Sequence, residues 1–206
     1  MTEVNEVFEK NCSFYLDRIA EINLGRKAGI LGAEAEGNGL RIPFFGKPYR
    51  ISPEGIFNPA GKRAGYSKCI ILFKHILLCP DEIPEHGDWT AYREFPDAGP
   101  LTGYFAKDVE KSLAGHFSGR TDDLKKACAE FGGILYEKKF SCDLAVQFRA
   151  LPRIPVLLIF NDGDEEFPAQ CSVLFRKSIG SYLDMESVAV LGTVLADSLK
   201  QGSGNR

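Results

Sequence analysis

Asp143-Leu-Ala-Val-Gln-Phe-Arg-Ala150, then Leu151-Pro-Arg153, then Ile154-Pro-Val-Leu-Leu-Ile-Phe160 is the stretch that decides the fold. Its first run alternates Leu144, Val146 and Phe148 against Asp143, Ala145, Gln147 and Arg149. That period of two predicts a strand with one apolar face and one face free for solvent or a ligand. From Val156 to Phe160 every residue is apolar, which predicts a strand in the middle of a sheet.

Downstream, Phe167 to Phe175 reads as a further strand, and upstream Ile134 to Phe140 reads as another. Asp184 is placed to cap a closing helix with Val188, Leu191, Leu195 and Leu199 on its inner side, and Gln201 to Arg206 reads as a flexible tail. Ahead of the strands, Phe105, Val109, Leu113 and Phe117 form one helical stripe, and Leu124, Ala127, Cys128 and Phe131 form another. Thr121 is the expected cap of that second helix, and Gly132-Gly133 its terminator.

Residues Ala64 to Cys79 predict a buried helix, stopped by Pro80. Between them and the Phe105 helix, Asp81 to Thr102 is a long stretch with prolines and aromatics but no period, and is expected to be a loop. Toward the N-terminus, Gly29 to Ile56 is punctuated by turn residues and predicts a small antiparallel meander, with Pro43 confined to an edge or a bulge. The first segment, Thr2 to Ile22, places Val4, Val7, Phe8, Tyr15, Ile19 and Ile22 at helical spacing, with Thr2 as its cap. The fold expected is therefore α+β: an antiparallel sheet of C-terminal strands packed with about five helices, plus a small N-terminal β meander, in one domain over residues 1–200.

Composition narrows the function classes. With 206 residues, 44% of them hydrophobic, the chain can bury a core without staples. A formal charge of −3 provides no field for a phosphate backbone or an anionic membrane, so neither partner is expected. The N-terminus lacks the apolar stretch of a secretion signal, and the longest apolar run, Cys69 to Cys79, is too short to cross a bilayer and is broken by Lys74 and His75. The cytoplasm is the expected compartment. Six cysteines without any Cys-x-x-Cys pair read as thiols rather than as disulfides or a local metal motif.

Three places could carry chemistry. His75 and Cys79 stand four apart on one helix face, so His75 is a candidate metal ligand, although such residues on an apolar helix are usually core. Arg149 and Arg153 flank one turn, and Asp164, Glu165 and Glu166 occupy another. These can pair with each other, bind an anion, or form a solvated hairpin. Trp89, Arg93 and Tyr104 offer flat aromatic surfaces with a guanidinium, suited to a planar acidic ligand or to a core lid. Nucleophile elbows, phosphate loops and dinucleotide fingerprints do not occur.

Phe148 to Phe160, continued through Asp164-Glu-Glu-Phe-Pro-Ala169 to Val173-Leu-Phe175, together with Trp89-Thr-Ala-Tyr-Arg-Glu94 and the helix around His75, resembles a family defined as a domain of unknown function. The resemblance covers about Leu40 to Leu199. It implies a setting in anaerobic bacteria and archaea, with some members carrying an iron–sulfur segment ahead of the domain, and hence a small-molecule or protein partner of anaerobic redox metabolism. It carries no catalytic residues over. The expected function is a binding or accessory domain for a tetrapyrrole or another flat anionic ligand, using Trp89, Arg93, Tyr104, Arg149 and Arg153. The alternatives are a small enzyme with Asp164, Glu165 or Glu166 as base, and a protein-interaction module.

Overall fold

The computed structural model describes residues 3–137 and 141–203, and the side chains from residue 11 onward within the first helix. Thr2, Val4, Val7 and Phe8, expected at the start of that helix, therefore fall outside the described side chains. Helices α1 (Glu3–Ala20) and α2 (Leu24–Leu31) lead into four short strands: β1 (Glu34–Glu36), β2 (Gly39–Phe44), β3 (Lys47–Ser52) and β4 (Gly55–Phe57). These form the antiparallel meander in sequence order. Pro43 lies in β2, which has neighbours on both sides, but β1 pairs with it only as far as Arg41. Beyond that point only β3 adjoins, and there Pro43 faces Pro48, so neither imino nitrogen has a carbonyl left waiting across the ladder.

Helix α3 (Tyr66–Leu77) buries Cys69, Ile71, Leu72, Phe73, His75 and Ile76. Tyr15 of α1 stacks on Phe73 with ring centroids 5.4 Å apart. The expected loop over residues 81–102 is shorter than its sequence suggests, because it contains β5 (Trp89–Ala91) and two 3-10 segments, Tyr92–Glu94 and Pro96–Leu101. Next come α4 (Thr102–Tyr104), a π-helical segment Phe105–Lys111, and α5 (Ser112–Phe117). The whole predicted stripe of Phe105, Val109, Leu113 and Phe117 is buried.

Helix α6 (Thr121–Glu130) starts one residue earlier than Thr121 would as a cap: Arg120 holds the cap position. The Thr121 hydroxyl instead donates to Asp162 (2.7 Å). The C-terminal strands are β6 (Ile134–Leu135), β7 (Leu144–Leu151), β8 (Ile154–Asn161) and β9 (Gln170–Arg176). Of the strand expected over Ile134 to Phe140, only the first two residues form β6, and residues 138–140 lie outside those described. The second sheet is antiparallel in the order β5-β9-β8-β7-β6, so β8, apolar from Ile154 to Phe160, is its central strand.

Asp184 caps α7 (Met185–Gly202) by accepting from the Ser187 N–H at 2.9 Å. The helix runs through Gln201 to Gly202. One face of the second sheet carries Val146, Phe148, Val156, Leu158, Phe160, Val173 and Phe175, all buried. Against it pack the π segment, α5 and α6, with Phe105 edge-on to Phe175 and Phe131 tilted on Phe148. Buried apolar area of this kind is the main stabilising contribution to such a fold. No helix among the described residues is long and apolar enough to cross a membrane.

Candidate functional site

The other face of the second sheet is where the sequence left room. Its side chains are half-buried or exposed except for Leu157 at the centre. Trp89 pairs with Arg176, and Arg149 pairs with Pro155. Because Val156 pairs with Phe175 one position further on, Trp89, Arg176, Pro155 and Arg149 form one row across β5, β9, β8 and β7. Pro155 fits here because the ladder is already irregular between Arg149 and Leu151. Two strand spacings put the Arg149 and Arg176 backbones about 10 Å apart.

Arg176 lies over the Trp89 ring, 4.1 Å from its centroid, and donates to the Gly87 carbonyl at 2.9 Å. That stacking suits the ring's negative face, and the backbone bond fixes the guanidinium plane. Arg149 is exposed and makes no ion pair among the described residues. From the opposite edge comes Tyr136, whose hydroxyl accepts from the Trp89 indole N–H at 3.0 Å, with the rings 6.1 Å apart and at 85°. In a flat five-stranded sheet the β5 and β6 backbones would stand about 19 Å apart, beyond the combined reach of an indole and a phenol. The sheet therefore curls toward this face, forming a trough bridged by the Trp89–Tyr136 contact.

The remaining expected site residues do not join that row. Arg153 donates to the carbonyls of Ile30 (3.3 Å) and Gly29 (3.1 Å), closing the C-terminal end of α2 where a cation suits the exposed carbonyls. Asp164, Glu165 and Glu166 are exposed on the β8–β9 loop, about 20 Å along β8 from the arginines. Asp164 accepts from the Glu166 and Phe167 N–H groups, which hold its carboxyl below the usual range. No base thus stands beside the arginines in that loop.

Tyr104 shares a 2.8 Å hydrogen bond with Thr193 of α7, in a different layer. Arg93 lines a small cavity of about 30 Å³ with Tyr92, Phe105 and Glu110. Glu110 was not among the residues suggested by sequence. Burial pushes its carboxyl up, against the Val173 N–H that it accepts at 3.0 Å and the nearby charge of Arg93. Val173 lies past the end of β5, so Glu110 supplies the acceptor that a longer β5 would have given.

His75 is fully buried, with neither ring nitrogen hydrogen-bonded among the described residues. Burial drives it neutral, to about 3; the Tyr182 backbone, near the ring but outside hydrogen-bonding geometry, pulls the other way. The Tyr182 ring lies 5.4 Å from it. No group of three or more His, Cys, Asp or Glu side chains among the described residues could hold a metal. No disulfide forms, and burial pushes the Cys128 thiol up to about 12 and the Cys171 thiol higher still, far from a reactive thiolate.

Arg176 and Tyr136 are the residues that sequence reasoning missed. Arg176 was legible as the last residue on the outer side of β9, since it shares that side with Ser172 and Leu174 and alternates with the buried Val173 and Phe175. Nothing local marks Tyr136, because its partner is 47 residues away.

Comparison with known families gives one match: the family model "Domain of unknown function (DUF3786)" matches residues 23–198, from α2 to the last turns of α7. No curated protein and no solved structure matches the chain.

Proposed function

We propose that this chain, which belongs to the DUF3786 family of domains of unknown function, is a non-catalytic binding domain that takes a flat, anion-bearing molecule into the trough of its second sheet. The observation that carries this reading is the row of Trp89, Arg176, Pro155 and Arg149 on a face that no described helix covers.

Arg176, held over the indole, offers an N–H fork, and Arg149 offers another about 10 Å away. Leu174 and Ile159, each half-buried, continue the face beside Leu157, which is itself fully covered. A planar ring system carrying two acidic groups matches that layout, and a tetrapyrrole with carboxylate arms is the member of the class to test first. His75 takes no part, since the core encloses it. Asp164, Glu165 and Glu166, the acids suggested by sequence, sit on the β8–β9 loop away from the row, which favours binding over catalysis.

The test is a titration with haem and with a corrinoid, followed by ligand absorption and by the emission of Trp89, the single tryptophan of the chain. Binding should quench Trp89, and Arg149→Ala should weaken it about tenfold. Absence of both an absorption shift and quenching at tens of micromolar ligand would overturn the reading for this class.

A further inference from the structure

A second recess lies on another part of the molecule and has no share in the trough. It sits between the β2–β3 hairpin and helix α7. Phe44, Phe45, Tyr49 and Phe131 form its floor, Lys47 and Lys68 its rim, and its volume is about 240 Å³.

The hairpin that builds it is unusual. Phe45 and Gly46 form its two-residue turn, with φ of 45° and 75°. Positive φ at both positions belongs to the tight turn that matches strand twist, and its first position normally carries Asn, Asp or Gly. Holding phenylalanine there costs about 1 kcal/mol of backbone strain. The strain is offset by what the ring reaches. Phe45 packs on Phe131 at 4.7 Å, on Phe44 at 5.0 Å and on Phe148 at 6.4 Å, and its N–H donates to the Ala150 carbonyl at 2.8 Å. An aromatic wall is thereby fixed rigidly beside an opening.

Charge supplies the second observation. Lys47 is exposed and Lys68 half-buried, and neither makes an ion pair among the described residues, in a chain whose acidic residues outnumber its basic ones. They come from different elements, a strand and a helix, and both line the same recess. Ser198 and Gln201 of α7 add neutral polar groups on the opposite side. Aromatic rings below and two ammonium groups above define a ligand with a flat apolar body and one negatively charged end.

We propose that this recess binds a small aromatic carboxylate, its ring among Phe44, Phe45, Tyr49 and Phe131 and its carboxylate between Lys47 and Lys68. Ring edges meet the aromatic floor in edge-to-face contacts, and the carboxylate remains at the mouth, where it keeps some of its hydration. The site is compatible with either outcome for the trough, because the two share no lining residue.

The probe is 2-naphthoate, with uncharged 2-naphthamide as its control, titrated into the full chain and followed by amide chemical shifts. Saturable shifts are expected at Gly46, Lys47, Phe131 and Ser198, with a Kd of about 1 mM or tighter. The amide should bind about tenfold more weakly, as should 2-naphthoate to the Lys47→Met/Lys68→Met variant. Ser198→Phe, which fills the recess from the α7 side, should abolish the shifts while leaving Tm unchanged. Arg149→Ala should leave them intact. No saturation by about 10 mM, equal affinity for acid and amide, or unaltered binding to the lysine variant would each overturn the site. Shifts confined to the Trp89 and Arg149 row would overturn it too while supporting the trough.

Discussion

The indole N–H of Trp89, on one margin of the second sheet, donates to the hydroxyl of Tyr136, on the other margin. Two short edge strands are thus tied across the trough by one hydrogen bond and an edge-on ring contact. Tyr136→Phe keeps the ring and removes the acceptor, which should lower stability by about 1 kcal/mol. Since the indole is the chain's single fluorophore of its kind, its emission should shift to the red as water reaches it. Amide exchange should quicken at Thr90, Ala91, Ile134 and Leu135 while β8 stays protected. Unchanged emission and exchange would show that the two margins are held by other contacts.

His75 predicts an acid sensitivity with a defined sign. Its ordinary value is 6.5, and burial lowers it to about 3 in the folded chain. Below pH 6.5 the unfolded chain takes up a proton that the folded chain refuses, so stability falls as the pH drops from 6.5 toward 3. By pH 5 that loss is about 2 kcal/mol. His75→Leu removes the titration along with two buried nitrogens that lack partners. It should be at least as stable as the parent at pH 7 and should lose less between pH 7 and pH 5. Urea unfolding of both proteins at the two pH values measures the difference, and parallel losses would refute it. His116 shifts in the same direction but is far less buried, so it contributes a smaller part of the slope.

What the sequence disclosed depended on the range of the interaction. Strand β8 was legible because its apolar run needs no partner to be recognised, and the face of β7 was legible from its alternation. Trp89 and Arg149 could be named as polar or aromatic candidates, but their shared row exists only once four strands are in register. Arg153 looks like a ligand-binding residue because the carbonyls it satisfies, Gly29 and Ile30, lie more than a hundred residues upstream. The acidic loop resembles a site because three carboxylates are adjacent, yet adjacency at a hairpin tip leaves them in solvent. The strand at Trp89 escaped notice because three residues are too few to show a period.

Glu110 separates two roles of one carboxylate. It accepts from the Val173 N–H at the open margin of β9, while its burial disfavours the charge. A carboxyl raised above its ordinary 4.5 binds a proton more readily in the folded chain, so it lowers stability as the pH rises from 4.5 through its folded value. Glu110→Gln keeps an acceptor without the charge and should match or exceed the parent in stability at pH 7. Glu110→Ala leaves the Val173 N–H without its acceptor and should cost about 1–3 kcal/mol. Thermal unfolding of the two variants checks the order, and a glutamine variant as weak as the alanine one would mean that the charge itself is required, pointing to Arg93.

Gly192 tests why the helix after Thr102 departs from α geometry. Phe105, Val109, Leu113 and Phe117 recur strictly every fourth residue, and on an ideal α-helix that spacing drifts by about 120° over three steps. The π turn across Phe105–Lys111 holds more residues per turn and cancels much of the drift, keeping all four side chains on the sheet and α7. The widened turn pushes Phe105 toward α7, and only a glycine admits it there. A Cβ at Gly192 would collide with the Phe105 ring and come within 3.4 Å of Val109. Gly192→Ala should therefore destabilise by about 1–3 kcal/mol, although alanine is the better helix former at an unconstrained site. Phe105→Leu, which withdraws the ring edge, should by itself cost stability, and the double variant should recover part of the Gly192→Ala loss. A thermodynamic cycle on the four proteins measures that coupling. If the two losses simply add, the close approach of Gly192 to Phe105 does not set the geometry of this helix pair.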